Sequence, residues 1–386
     1  MKIAFFCPDD LSTVIFAKSF LKFVKDRDHI EGYTISPVLM NYIDQLDKLV
    51  VRHYPVRMGR YVSPYSDLCC FLSVYGICRR ERFDAVINFT TKPNVLGAVA
   101  ARWAGVTKVV CAVRGLGGPF LPQSDLKGRL LQRMVKILYR LACSMSDKVW
   151  FTNQGDMDYF LQGGLVGLEK TVKTTNALDI AEYSQDCIDK DEIRKLKREL
   201  ALQENDKIVV MVGRMIWSKG IREFVEAAES VGRERPDLKF ILVAPGEKGH
   251  PDEVPDSFIT AKGKMENFIW LGFRKDVKNI YAISDLAVLP SYYNEGGYPR
   301  ALLEPMAFGK PVITTDLPQC RGPVEDGRNG YLIPPRDVRA LQEAILKVFG
   351  NEEERRRMGV YSRVKIESEF DDRRVVEKIL SNIGAI

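Results

Sequence analysis

Short apolar runs of four to six residues, bounded by turn residues and separated by longer amphipathic stretches, recur through both halves of this chain. Such alternation marks βαβ units, and runs that are apolar throughout belong to parallel strands buried on both faces. The first half offers Lys2–Cys7, Ala85–Phe89, Val109–Val113 and Lys148–Thr152 as strands. The second offers Lys207–Val212, Lys239–Val243, Phe268–Leu271, Leu286–Leu289 and Pro311–Thr314, with helices at Ile221–Glu234, Pro299–Phe308, Val338–Gly350 and Glu352–Phe370. The pattern predicts an α/β chain with two doubly wound sheets in tandem, and 386 residues suffice for two cores. The expected division is a first domain over 1–172, a linker region over 173–206 that holds TTNALD and the charged run DKDEIRKLKREL, and a second domain over 207–370. A last helix, about 371–386, is expected to pack back on the first domain. Ligands of such sheets bind outside the carboxyl ends of the strands, so the cleft between the domains is the expected site.

The apolar start MKIAFFC stops at Pro8, Asp9 and Asp10, too short for a secretory leader or a spanning helix, so a cytoplasmic location is expected. Eight cysteines without a C-x-x-C pair are expected to be reduced and structural. The three histidines, His29, His53 and His250, lack metal-ligand spacing, and no protein-built metal site or cofactor is expected. Charge is uneven: residues 1–172 hold 23 Lys/Arg against 15 Asp/Glu, a net +8, while residues 173–386 are at −2. A basic half suits an anionic partner, which charge alone leaves open among lipid headgroups, a lipid-linked diphosphate and nucleic acid.

Two motifs carry chemistry. In Val209-Val-Met-Val-Gly213-Arg214-Met-Ile-Trp-Ser-Lys219-Gly220 a strand runs through a Gly-Arg turn into a helix start, where backbone N–H groups and two cations suit a diphosphate. In Asn294-Glu295-Gly296-Gly297-Tyr298-Pro299-Arg300-Ala-Leu-Leu303-Glu304 one carboxylate lies in a glycine loop and the other interrupts a buried-looking helix, where it needs a partner. Paired carboxylates suit vicinal sugar hydroxyls. The loop Arg114-Gly115-Leu116-Gly117-Gly118 lets backbone approach a ligand, but it lacks the third glycine of a dinucleotide fingerprint.

VGRMIWSKG, EGGYPRALLEPMAFGKPVITTD and EDGRNGYLIPPRD, in that order, resemble the donor half of the retaining glycosyltransferase family 4, with the likeness densest over Lys207–Asp337. INFTTKP and AARWAGVTKVVCAVRGLGGPF resemble members that build bacterial surface polysaccharides on a lipid carrier. The resemblance implies a GT-B fold, with two Rossmann-like domains facing a central cleft, and transfer from a nucleoside-diphosphate sugar, expected to be UDP-linked, to a saccharide or lipid-diphosphate-linked acceptor. It implies that Arg214 and Lys219 hold the diphosphate beside Gly213. Glu295, Gly296 and Gly297 would meet the donor sugar and Glu304 the ribose. Gly272, Phe273 and Arg274 would form the base-contacting loop, and Leu303 would pack against the nucleoside. Arg114, Gly115, Gly117 and Gly118 remain acceptor-side candidates. Glu295 and Glu304 are separated by eight residues where the family has seven, and Arg114 stands where many members have histidine. A same-fold epimerase and a non-catalytic sugar-nucleotide-binding protein are the rival readings; a phosphorylase would need a pyridoxal lysine and a longer chain. Nucleic acid is not an expected partner.

The segment 127–141 sets Arg129, Arg133, Lys136 and Arg140 in one basic stripe beside an apolar face of Leu130, Met134, Ile137, Leu138 and Leu141. Two readings remain open: a helix lying on the inner face of an anionic membrane, or one that packs this apolar face into the core.

Overall fold

A computed structural model describes residues 1–39, 42–59, 62–116, 120, 126–262, 265–293 and 297–386. The chain forms two compact units, Met1–Thr175 with Asp372–Ile386, and Asn176–Asp371.

The first unit is a parallel sheet of β1 (Lys2–Phe6), β2 (Glu31–Ser36), β3 (Arg52–Pro55), β4 (Ala85–Phe89), β5 (Lys108–Val113), β6 (Lys148–Phe151) and β7 (Thr171–Lys173), in the order β3-β2-β1-β4-β5-β6-β7. Ile3 of β1 lies between Gly32 of β2 and Ala85 of β4. Helices α2 (Pro64–Glu81), α3 (Ala98–Trp103), α4 (Leu126–Met145) and α5 (Gln154–Gln162) bury their inner sides in one core on one face of the sheet. On the other face, α1 (Asp10–Lys25) and the last helix, α14 (Asp372–Asn382), share a second core. Asp9 caps α1 by accepting from Ser12 N–H at 2.6 Å.

The second unit has β8 (Lys207–Val212), β9 (Leu238–Val243), β10 (Phe268–Trp270), β11 (Leu286–Leu289), β12 (Val312–Thr315) and β13 (Gly330–Ile333), all parallel in the order β10-β9-β8-β11-β12-β13. Around them lie α6 (Lys190–Glu199), α7 (Ile221–Glu234), α8 (Asp256–Lys262), α9 (Val277–Ile283), α10 (Arg300–Ala307), α11 (Pro318–Arg321), α12 (Val338–Gly350) and α13 (Glu352–Glu369). From β8 the chain winds outward through β9 to β10, then returns to place β11 on the other side of β8. The gap between β8 and β11 is thus the topological switch point, where such sheets bind ligands.

Three features depart from the sequence reading. β2, β3, β7 and β13 are strands that the apolar runs did not reveal. β2 carries the buried polar residues Thr34 and Ser36, and β3, β7 and β13 are short edge strands. The segment read as a linker is built into the second unit, where Leu178, Tyr183, Leu196 and Leu200 are core residues. In α4 the buried side chains are Val135, Tyr139, Ala142 and Cys143, whereas Leu130, Met134, Ile137, Leu138 and Leu141 are exposed. The helix is apolar on two opposite faces, so the reading in which the stripe packs into the core is overturned.

Candidate active site

The turn after β8 is built by tertiary pairing rather than by local propensity. Gly213 N–H donates to Val243 O at 3.0 Å, extending the β8–β9 ladder, and Met215 and Ile216 form single bridges with Gly246 and Glu253. A single helical turn, Trp217–Lys219, then leads to Gly220, the N-cap of α7, which adopts the left-handed conformation at φ +83°. A Cβ on Gly220 would lie 2.3 Å from Pro290 O, so the position needs glycine on both counts. Tyr292 N–H donates to Ser218 O at 2.7 Å and fastens the loop after β11 to the turn after β8.

This fastening brings the two cations together. The Arg214 guanidinium and the Lys219 ammonium each lie 5.0 Å from the centroid of Tyr293, so one ring faces both charges. Lys219 is only 9% exposed, and its aliphatic stem runs beside Gly213. Arg214 is 4.0 Å from Glu247 and partly open, a contact too long and too wet to neutralise it. The N-terminus of α7, with its own positive end, begins next to them. Sequence reasoning missed Tyr293 and Glu247. The pair Tyr292-Tyr293 directly after β11 was the available signal.

Glu304 is one turn into α10 and only 13% exposed. The partner that a half-buried carboxylate needs is a pair: Arg300 Nε donates to its Oε1 at 2.9 Å and Tyr183 Oη–H donates to the same oxygen at 3.1 Å. Arg300 Nη2 closes the triangle by donating to Tyr183 Oη at 2.9 Å. Among the described residues Oε2 takes no hydrogen bond. Burial, reinforced by the Glu304 charge, raises the Tyr183 phenol well above its ordinary range and keeps it a donor.

The other candidates fall out unevenly. Glu295 and Gly296 lie outside the described residues, as do Gly117 and Gly118. Gly297 adopts φ +129°, and its missing Cβ makes room for Asn176, whose Nδ2 donates to Tyr298 O at 2.9 Å. Leu303 is fully buried in the core, which corrects its assignment to a nucleoside-facing surface. Gly272 adopts φ +61° and Phe273 is exposed beyond β10. Arg274 is held by Asp276 and Glu199, with Nε–Oδ1 at 2.8 Å and Nη1–Oε1 at 2.6 Å, so its guanidinium is already committed. In the first unit Arg114 stacks over Phe16 at 4.5 Å and Trp150 at 5.6 Å. Gly115 adopts φ +117°. Burial raises the Asp156 carboxyl above its ordinary range, offset in part by Asn153 and the Gly115 backbone.

The family model described as Glycosyl transferases group 1 matches residues 192–365, which lie within the second unit and include both cations and Glu304. The fold is that of GT-B glycosyltransferases, and the second unit resembles their group 1 members. The chain is 27% identical over 307 residues to the UDP-Gal:alpha-D-GlcNAc-diphosphoundecaprenol alpha-1,3-galactosyltransferase of Escherichia coli, covering 79% of this chain and 76% of that one. It is 24% identical to the N,N'-diacetylbacillosaminyl-diphospho-undecaprenol alpha-1,3-N-acetylgalactosaminyltransferase of Campylobacter jejuni, covering 91% and 90%. Its fold is similar to that of Anabaena HepE in complex with UDP-glucose, with a TM-score of 0.77 at 21% identity and full coverage of both chains. The chain also resembles the capsular polysaccharide biosynthesis glycosyltransferase CapM of Staphylococcus aureus, at 22% identity over 88% of this chain and 86% of that one.

Proposed function

We propose that the transferase moves a sugar from a UDP-sugar to a lipid-diphosphate-linked saccharide, with retention of anomeric configuration as in family 4, in bacterial surface-glycan synthesis. The observation that carries this reading is the convergence of Arg214 and Lys219 on Tyr293 at the switch point of the second sheet. The two named sequence relatives, which act on undecaprenol-diphosphate saccharides, support the acceptor class.

The chemistry follows from charge. As the bond from the anomeric carbon to the diphosphate oxygen breaks, negative charge grows on the diphosphate, and two fixed cations in a partly dry turn stabilise that charge without reorganising. The acceptor hydroxyl oxygen forms its bond to the anomeric carbon on the face the diphosphate leaves. Its proton passes to the departing diphosphate oxygen, so no enzymic nucleophile is required. Glu304, with Oε1 fixed and Oε2 open, takes the ribose hydroxyls. Glu295 with the Gly296-Gly297 backbone meets the transferred sugar, and backbone of the loop Gly272–Arg274 meets the base. The basic first unit receives the acceptor, and α4 holds the protein at the inner face of the membrane.

UDP release at saturating donor is the test. Arg214→Ala and Lys219→Ala are each expected to slow turnover by ~10²-fold or more, the scale of losing one charge-stabilising group. Near-normal turnover in either variant would remove the diphosphate clamp. Saturable UDP-sugar binding without UDP release in the wild type, with acceptor present, would favour the non-catalytic rival.

A further inference from the structure

We propose that the outer sides of α2, α3 and α4 form one membrane-docking face, in which exposed apolar side chains enter the headgroup and acyl boundary of an anionic bilayer and the exposed Arg129 and Arg133 of α4 meet its phosphates. This deepens the membrane part of the reading above and rests on it, while extending the contact well beyond one helix.

The exposure of α4 is the starting point. At about 100° per residue, its buried residues Val135, Tyr139, Ala142 and Cys143 lie opposite Leu126, Leu130, Met134, Ile137 and Leu141. Leu126 is 82% and Leu130 68% exposed. The basic stripe borders this apolar one, and α4 contains no Asp or Glu. α2 repeats the arrangement, burying Cys70, Val74, Ile77 and Cys78 while Tyr65, Leu68 and Leu72 stand outward. On α3, Trp103 is 62% exposed and meets Phe71 of α2 edge-on, with centroids 5.5 Å apart. Arg102 Nε donates to Met145 O at 2.8 Å and ties the end of α3 to the end of α4.

All three helices cover the same face of the first sheet, with α3 packed between the other two, so their outer sides share one surface. Large apolar residues scattered singly on a surface need no explanation, but contiguous rows bordered by arginine do. A bilayer fits this combination. Leucine and isoleucine suit the acyl boundary, tryptophan and tyrosine the headgroup level, and arginine the lipid phosphates. A second copy fits poorly, because a two-fold contact through this face would oppose basic side chains of the same sign.

The test is flotation of the full chain on phosphatidylcholine vesicles with and without phosphatidylglycerol. Three variants are compared: Leu130→Ser with Ile137→Ser, Leu68→Ser with Leu72→Ser and Trp103→Ser, and Arg129→Gln with Arg133→Gln. All seven positions are exposed, and unchanged melting temperatures are expected. Wild type is expected to float on the mixed vesicles, and each serine variant to lose binding by about tenfold, as expected when several apolar groups leave the boundary. The glutamine variant is expected to bind less at low salt and to converge with wild type at high salt. Wild-type binding by the α2/α3 variant would overturn the three-helix face while leaving α4 as an anchor. No flotation of wild type would overturn the membrane contact altogether, without touching the transfer reading, which UDP release tests. Concentration-dependent dimerisation abolished by the same serines would assign the face to a second copy instead.

Discussion

Tyr183 and Arg300 fix one oxygen of Glu304 and leave the other open, so a helix neighbour and a distant tyrosine together set the direction of one carboxylate. Glu304→Gln is expected to weaken UDP and UDP-sugar alike, by roughly tenfold or more, since hydrogen bonds to a charged group contribute about 1.5–3 kcal/mol. Tyr183→Phe removes one neutral donor and is expected to cost about 1 kcal/mol, roughly fivefold in UDP affinity. Calorimetric titration with UDP measures both. An unchanged affinity in the Glu304 variant would end its ribose assignment, and an unchanged affinity in Tyr183→Phe would reduce the tyrosine to packing. At this scale the sequence marked the charged candidates and concealed the residues that hold them. Arg214, Lys219 and Glu304 stand out because each interrupts an apolar or glycine-rich pattern. Tyr293 and Tyr183 look like ordinary aromatics until the fold sets one over two cations and the other against a carboxylate 121 positions away.

Among the elements, the strand–turn–helix from β8 to α7 depends most sharply on one backbone conformation. Gly220→Ala would force a Cβ into Pro290 O from a left-handed backbone, and strain of this kind costs on the order of 1–3 kcal/mol. The expected result is a lower denaturation midpoint together with turnover below that of wild type, because the same turn carries Lys219. Chemical unfolding monitored by circular dichroism decides it, and wild-type stability would show that the loop after β11 yields easily. The central strands β1, β4, β5, β8, β9 and β11 were legible because burial on both faces leaves them mostly apolar. β2 hid behind Thr34 and Ser36, whose side chains the sheet buries. Periodicity located the stripe of α4 that holds Leu130 and Ile137 but not the opposite one of Val135, Tyr139, Ala142 and Cys143, and carried no information on which faces inward. Only the identity of the packed neighbours decides that.

For the whole molecule, the return of α14 to the first unit is the feature to test. Its Val376, Ile379 and Leu380, with Ile383 just beyond its end, are buried in the core shared with α1. Each such side chain contributes about 1.5–3 kcal/mol, so losing four approaches the 5–15 kcal/mol that typically holds a domain folded. A chain ending at Asp371 is therefore expected to lose the cooperative unfolding of its first unit while still binding UDP through the second. Scanning calorimetry with and without UDP separates the two, and a full-length-like melting profile would show α14 to be dispensable. The sequence predicted this return without showing where the second unit begins, since Leu178 and Tyr183 carry no strong pattern of their own. Inside the second unit, Leu178 N–H donates to Phe370 O at 2.9 Å and Leu178 bridges Asp371, so the entering and leaving strands of chain are clasped side by side. A segment whose two ends meet can be lifted out or exchanged as a cassette, which gives a lineage a way to replace the whole second unit while the chain before and after it stays unaltered.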